Sequence, residues 1–423
     1  MSSLRLARSV DNPVFSTHVL PIRLSVALVA SSLMAISGCA STTLAEGPAP
    51  APHSARVLPA LGAVALSQRG SIVAADRATE LSAPLMESGA EQYTIVYRST
   101  SGLDGSLREV SGSVFVPPGD APAEGWPVIA YGHGLTGIGN ECGPSGYSDL
   151  LGYDLVVASL IELGFVVTLP DFEGLGNEGV HPFLEPITAG ANMIDAVRAA
   201  GELIPAVSPR WFAVGLSQGG QASWAANELA GEYGDGLTFM GSASMSPAAD
   251  LSALPGLAEA GWLTKAQQVM LPTLVHGLKS THPSLEVDDY LHGPLSENTE
   301  MWLACTGPLT QERSAAVGEL DPADSVPISR AATVKLAEAL EDVSVAQRKA
   351  TGPMLVITGG DDDTVREQWV ANAVRRACEF GDVVEFIVRP GEGHADLNGG
   401  PRIAEWLTER MAGLPPTDTC EQP

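Results

Sequence analysis

Trp211-Phe212-Ala213-Val214-Gly215-Leu216-Ser217-Gln218-Gly219 reads as an apolar strand that runs directly into a serine flanked by glycines. A small-residue, helix-forming stretch follows over 220–232. A strand that turns sharply into a helix around G-x-S-x-G presents the serine hydroxyl at the strand's end, as a nucleophile elbow does. Gly215 and Gly219 permit a backbone path that side chains would obstruct. In a chain holding 45 glycines the five-residue motif alone is weak. The strand before it and the helix after it make Ser217 a candidate nucleophile rather than part of a glycine-rich turn.

A serine hydroxyl needs a positioned base to attack anything. In folds built around this elbow the acid and then the histidine follow the serine, each on a loop after a strand. The apolar run 354–358 leads into Gly359-Gly360-Asp361-Asp362-Asp363-Thr364-Val365. The run 383–388 leads into Gly391-Glu392-Gly393-His394, and His394 is the only histidine after the aspartates. The spacing G-x-x-D-x-x-V selects Asp362 as the acid. Asp361 or Asp363 is then expected to be solvated, shaping the loop.

Beyond residue 91, apolar runs at 93–97, 111–116, 127–131, 165–169, 211–214, 237–242, 354–358 and 383–388 alternate with helical patterns. The helix candidates are 148–163, 187–203, 366–379 and 402–411. This rhythm predicts an α/β fold: a mostly parallel central sheet with helices on both faces. After Ser244 it breaks, and roughly 100 residues pass before the next strand, far more than a crossover of a dozen or so requires. Helix-period segments occupy the gap, one with Leu336, Leu340 and Val343 on a single face. The expected organisation is a core in two parts, 56–246 and 352–423, with a helical cap inserted over 247–351. An independent second domain is the competing reading, and the return of strands carrying the catalytic partners argues for a cap.

The chain has 423 residues, 45% of them hydrophobic and 17% charged, which describes a globular protein. A net charge of −27 repels phosphate backbones and anionic lipid, so nucleic acid is excluded as a partner. Residues 1–39 read as a leader: Arg5, Arg8 and Arg23 precede an uncharged apolar run over 24–36, short for a permanent membrane span. Ile36-Ser37-Gly38-Cys39 then resembles a bacterial lipobox, in which Cys39 becomes an acylated anchor. An ordinary secretory cleavage nearby, for instance after Ala45, is the alternative. Residues 40–55, with Pro48, Pro50 and Pro52, read as an extended spacer. Cys142, Cys305, Cys378 and Cys420 remain, widely spaced and without a C-x-x-C pair. They suit two disulfides in an oxidising compartment better than a zinc site, and three pairings are open.

An acyl-transferring serine also needs an oxyanion hole. The N–H of Gln218, next after the nucleophile, should supply one donor. For the second, Gly132-His133-Gly134-Leu135-Thr136-Gly137 competes with Pro170-Asp171-Phe172-Glu173-Gly174. His133 reads as a loop-ordering residue, since Ser217 already has its base.

These segments, with Glu141-Cys142-Gly143-Pro144-Ser145 and Asp171-Phe172-Glu173-Gly174-Leu175-Gly176, resemble the secretory lipase family of the α/β-hydrolases, the yeast lipase A type. The resemblance runs from about residue 91 to the C-terminus. It implies a Ser217–His394–Asp362 triad, a helical cap over an acyl site, and an oxyanion hole of Gln218 and Asp171. It also implies pairing of Cys142 with Cys305 and of Cys378 with Cys420. The expected activity is carboxylic ester hydrolysis through an acyl-enzyme, on an acyl ester or lipid, with no cofactor or metal. Contact with a membrane is expected only through the N-terminal anchor. Acyl transfer or amide cleavage by the same triad is the alternative, and a non-catalytic lipid-binding module a further one.

Overall fold

The computed structural model describes residues 56–307 and 309–420. The leader, Cys39 and the spacer 40–55 lie outside the described residues.

Nine strands form one sheet: β1 (Ile72–Arg77), β2 (Glu91–Thr100), β3 (Leu107–Val116), β4 (Trp126–Gly132), β5 (Val166–Pro170), β6 (Val207–Leu216), β7 (Thr238–Met245), β8 (Met354–Gly359) and β9 (Val384–Arg389). Their order is β1-β2-β3-β5-β4-β6-β7-β8-β9. Pairing is antiparallel from β1 to the β3–β5 join and parallel from β5 to β9. This is the α/β-hydrolase fold. β4 and β8 are buried along their whole length, as central parallel strands covered on both faces must be. That is why their sequences are apolar throughout instead of alternating.

Eight strands match expectation, and β1 is the addition. It is an edge strand paired only with β2, interrupted by a bulge near Ile72–Ala74 and exposed over most of its length. Burial therefore imposes no alternation on it. The helix expected over 148–163 is also shorter than its pattern. It starts only at Asp154–Glu162, because Leu150, Leu151 and Gly152 all take positive φ and form a tight turn instead.

Helices Pro186–Leu203 and Gln218–Tyr233 cover one face of the sheet through Ile194, Val197, Ala226 and Leu229. Asp154–Glu162 and Gly400–Met411 cover the other through Leu160, Ile161, Trp406 and Leu407.

Among the described residues, β7 and β8 are joined by helices and no strand, from Leu254–Glu259 through Lys265–Leu278 to Arg330–Asp342. Thr264 starts the second of these with a reciprocal capping box to Gln267. Leu336, Leu340 and Val343 are buried, as their spacing predicts. Leu271, Leu274 and Leu336 of this insert share one continuous apolar cluster with Val356 and Trp369 of the sheet region. A disulfide between Cys142, in the loop after β4, and Cys305, in the insert, closes 163 residues of chain. A second joins Cys378 to Cys420. Both are the pairs the resemblance implied.

Candidate active site

The elbow is held by close backbone contacts. A Cβ at Gly219 would lie 1.9 Å from the Gly132 carbonyl oxygen, and one at Gly215 would lie 2.1 Å from the Gly219 oxygen. Only glycine lets β6, the helix after it and β4 approach this closely. Ser217 itself sits at φ 56° and ψ −115°, a conformation that costs a non-glycine residue about 1–3 kcal/mol. Its neighbours hold it there. The Ser217 N–H donates to the Met245 carbonyl at 2.9 Å, and its own carbonyl accepts from Gln221 and Ala248.

His394 Nε2 lies 3.0 Å from Ser217 Oγ, and His394 Nδ1 lies 2.7 Å from Asp362 Oδ2. The other carboxylate oxygen of Asp362 accepts the N–H groups of Thr364 and Val365 at 2.9 and 2.8 Å. Burial works to raise the Asp362 carboxyl, but the His394 hydrogen bond and charge and the two N–H donors outweigh it and hold the carboxyl below its ordinary value. Asp361 and Asp363 are exposed. The two loops lock together: Asp361 N–H donates to Glu392 O, and a Cβ at Gly359 would collide with that oxygen at 2.3 Å. Gly359, before the acid, is thus a packing requirement, whereas Gly391, before the histidine, faces open space and is suited instead to its φ of +79°.

Ser217, His394 and Gln218 open on a cavity of about 400 Å³. Its walls are largely apolar, with Leu135, Phe183 and Leu216 from the sheet side and Val269, Met270, Leu274 and Trp302 from the insert. Tyr153 and Arg313 also line it. A larger cavity of about 580 Å³ beside Arg108, Glu109 and Glu178 includes Ser280 but no histidine among its lining residues.

Gln218 opens the helix, so its N–H has no acceptor within that helix and lies next to the nucleophile, as expected. Asp171 requires a correction. Its N–H already donates to Ser111 O at 2.9 Å. Its carboxylate accepts from Ser111 Oγ at 2.6 Å and from the Ser145 N–H at 2.8 Å and Oγ at 2.5 Å. It is fully buried, and it is not part of the wall around Ser217. With its N–H and both carboxylate oxygens engaged by Ser111 and Ser145, Asp171 serves as a structural carboxylate and not as the oxyanion donor the resemblance implied. Burial raises its carboxyl, opposed by the serine hydrogen bonds and the charge of His133. The competing segment does reach the site: Gly134 and Leu135 line the cavity, and a Cβ at Gly134 would lie 3.7 Å from Ser217 Cβ. His133 bridges the two loops, with Nδ1 2.7 Å from Gly134 O and Nε2 3.2 Å from Asp171 O.

One residue behind the elbow, His181, had no sequence signal. His181 Nε2 accepts from Gln218 Nε2 at 2.9 Å while its Nδ1–H donates to Glu173 O at 2.8 Å. Burial lowers His181 to about 4, so the neutral ring is the relevant form. Among the described residues, one group has metal-like spacing, Glu141 with Cys142 and Cys305. The two sulfurs are joined to each other, which leaves a single carboxylate.

Comparison with known proteins agrees with this architecture. The Candida antarctica lipase A structure in its closed state superposes with a TM-score of 0.67 at 16% identity, covering 86% of this chain and 87% of that one. A rice cell wall degrading esterase, LipA from Xanthomonas oryzae, superposes with a TM-score of 0.64 at 18% identity, covering 81% and 96%. In sequence, the chain is 25% identical over 354 residues to a Mycobacterium tuberculosis protein named "Probable inactive lipase", covering 77% of this chain and 74% of that one. The secretory lipase model matches residues 150–419, and the chain belongs to that family.

Proposed function

We propose that this chain is a serine carboxylic ester hydrolase, a lipase or esterase that works through an acyl-enzyme. One observation carries the reading: Ser217 Oγ, His394 and Asp362 stand in unbroken hydrogen-bond contact at the wall of an apolar cavity. His394 Nε2 takes the Ser217 proton as the oxygen attacks the ester carbonyl. Asp362 fixes the proton on Nδ1 and stabilises the imidazolium. The tetrahedral anion faces the Gln218 N–H and a main-chain N–H of the 133–135 segment. The imidazolium then protonates the departing alcohol, and the neutral ring activates water for deacylation.

The insert 247–351 acts in this reading as a cap, its helix Lys265–Leu278 supplying part of the acyl wall. Two disulfides and the family's secretory character support an extracytoplasmic location. No helix among the described residues is long and apolar enough to cross a membrane. Attachment through acylated Cys39 is part of the proposal, and palmitate labelling that disappears in Cys39→Ser tests it.

A relative named as an inactive lipase makes activity the first thing to measure. A fluorophosphonate probe should label Ser217 in the folded protein, and p-nitrophenyl esters should be hydrolysed. Failure of both with folded wild-type protein would leave a lipid-binding module as the better reading. Adding a competing alcohol separates hydrolysis from acyl transfer by product.

A further inference from the structure

Behind the elbow lies a second, much smaller cavity of about 10 Å³, lined by Glu173, His181, Thr188, Asn192, Gln218 and Gln221. That volume is close to one water-sized sphere, too small for any organic ligand. Three side-chain oxygens of its lining residues are fully buried and have no partner among the described residues: Glu173 Oε2, Gln218 Oε1 and Gln221 Oε1. Their residues are 6%, 4% and 1% exposed. The opposite atoms of each side chain are fixed, so rotation does not relieve the oxygens. Gln221 Nε2 donates to Leu184 O and Val343 O at 2.8 Å each, Gln218 Nε2 donates to His181, and Glu173 Oε1 accepts from Ser101 Oγ at 3.2 Å. Leaving a buried polar atom unsatisfied costs about 1–3 kcal/mol, and three such acceptors belong to residues lining one small space, whose remaining walls include Phe172, Pro182, Leu184 and Ala189.

We propose that this cavity is a binding site for one buried water molecule, which bridges Glu173, Gln218 and Gln221 and so fixes the residue that follows the nucleophile. The hydrogen-bond count closes when Glu173 carries a proton. Glu173 donates O–H to the water oxygen, and the two water hydrogens go to Gln218 Oε1 and Gln221 Oε1. With Glu173 ionised, the water has only two hydrogens for three acceptors, and one carbonyl is stranded. Burial pushes the Glu173 carboxyl up to about 7, against the Ser101 hydrogen bond and the charge of Arg108, with Glu185 and Asp104 adding to the rise. The neutral His181 ring completes the surround. Glu173 also lines the outer cavity beside Arg108 and Glu109, which gives its proton a route to solvent. The catalytic consequence rests on the ester hydrolase reading: Gln218 carries an oxyanion donor, and among the described residues its side chain is anchored through this cluster. Glu173, His181 and Gln221 are positioning residues in that scheme.

A crystal structure of the wild-type protein at about 1.2 Å tests the site without any activity. The expected result is a single oxygen peak about 2.7–3.2 Å from the three orphan oxygens. A dry cavity, direct contacts among those oxygens, or a cation coordinated at about 2.4 Å overturns it. The kinetic arm compares Glu173→Gln, whose amide N–H still donates, with Glu173→Leu. The first should keep kcat within about twofold. The second should lose about tenfold in kcat at unchanged KM, a fraction of the 10²–10³ that deleting an oxyanion donor costs. The wild-type to Glu173→Gln ratio of kcat should also fall as pH rises through 7, a change that isolates Glu173 from His394. Equal kcat in both variants, or a flat ratio, rejects the positioning role. If wild-type protein turns over no ester, the crystallographic arm still decides the site.

Discussion

The sheet and the insert meet at one cavity but are built on different principles. On the sheet side the fit is backbone against backbone: Gly215, Gly219 and Gly359 stand where any Cβ would strike a carbonyl oxygen within 2.4 Å. The insert meets the cavity through side chains, and parts of it are exposed. Helix Thr310–Val317 buries no residue, helix Lys265–Leu278 carries Pro272 in its interior, and Trp262 is 71% exposed. On the ester hydrolase reading, positions that hold reacting atoms therefore have little freedom to vary, whereas positions that wall the acyl space can change side chain without moving the nucleophile. Substitutions on the two sides should fail in different ways, the first in rate and the second in substrate choice.

The largest effect belongs to the frame. Ser217→Ala should reduce kcat/KM on p-nitrophenyl esters by on the order of 10⁴-fold or more, with the melting temperature little changed, since the hydroxyl carries no structural hydrogen bond besides His394 among those described. Residual activity near wild type would mean that the chemistry lies elsewhere. The three adjacent aspartates give a sharper version. Asp362→Asn should cost about 10³–10⁴-fold by presenting the wrong tautomer of His394, whereas Asp361→Asn and Asp363→Asn, both exposed, should stay within about twofold. Equal losses at all three would break the assignment.

The sequence exposed this side of the molecule because its constraints are local. A glycine that must lack a side chain, a strand buried on both faces and a histidine after the last strand each leave a mark within a few residues. Asp171 shows where that ends. Its segment fits an oxyanion loop by resemblance, but its N–H is consumed by strand pairing with Ser111 and its carboxylate by Ser111 and Ser145. Those partners lie 60 and 26 residues away in sequence, and no local pattern announces them. His181 and the cavity lining from Val269 to Trp302 were hidden for the same reason. β1 went unseen because an exposed edge strand has no buried face to alternate against.

A smaller effect should come from the insert. Val269→Trp or Met270→Trp fills space in the acyl cavity while leaving the elbow untouched. Long-chain esters should lose about 10–200-fold in kcat/KM, and acetate esters should change by less than about twofold. A uniform drop across chain lengths would show that these residues bear on the nucleophile and not on the acyl group. The strap between the two regions should affect stability rather than rate. Removing Cys142–Cys305, which closes 163 residues, forgoes at most about 5 kcal/mol of unfolded-state restriction. Cys142→Ser with Cys305→Ser should therefore lower the melting temperature by many degrees while the folded fraction still labels at Ser217.

The subtlest probe sits at the seam itself. Glu228, on the frame helix Gln218–Tyr233, accepts the Ala346 N–H of the insert at 2.7 Å while 9% exposed. Burial lifts its carboxyl from 4.5 to about 8, more than the Ala346 hydrogen bond and the charge of Arg348 lower it. The folded chain then holds a proton that the unfolded chain has lost between those two values, so stability declines as pH rises through that window. Asp362 has the opposite sign: its lowered carboxyl contributes stability that disappears only as pH falls below the ordinary aspartate range. Thermal melts of wild type and Glu228→Gln between pH 4.5 and 8 should thus diverge, wild type falling more steeply than the variant, in which Glu173 alone of the two still contributes its decline. Parallel curves would mean that the seam admits enough water to ionise Glu228 freely. The insert would then rest on the frame more loosely than the shared apolar cluster of Leu336 and Val356 implies.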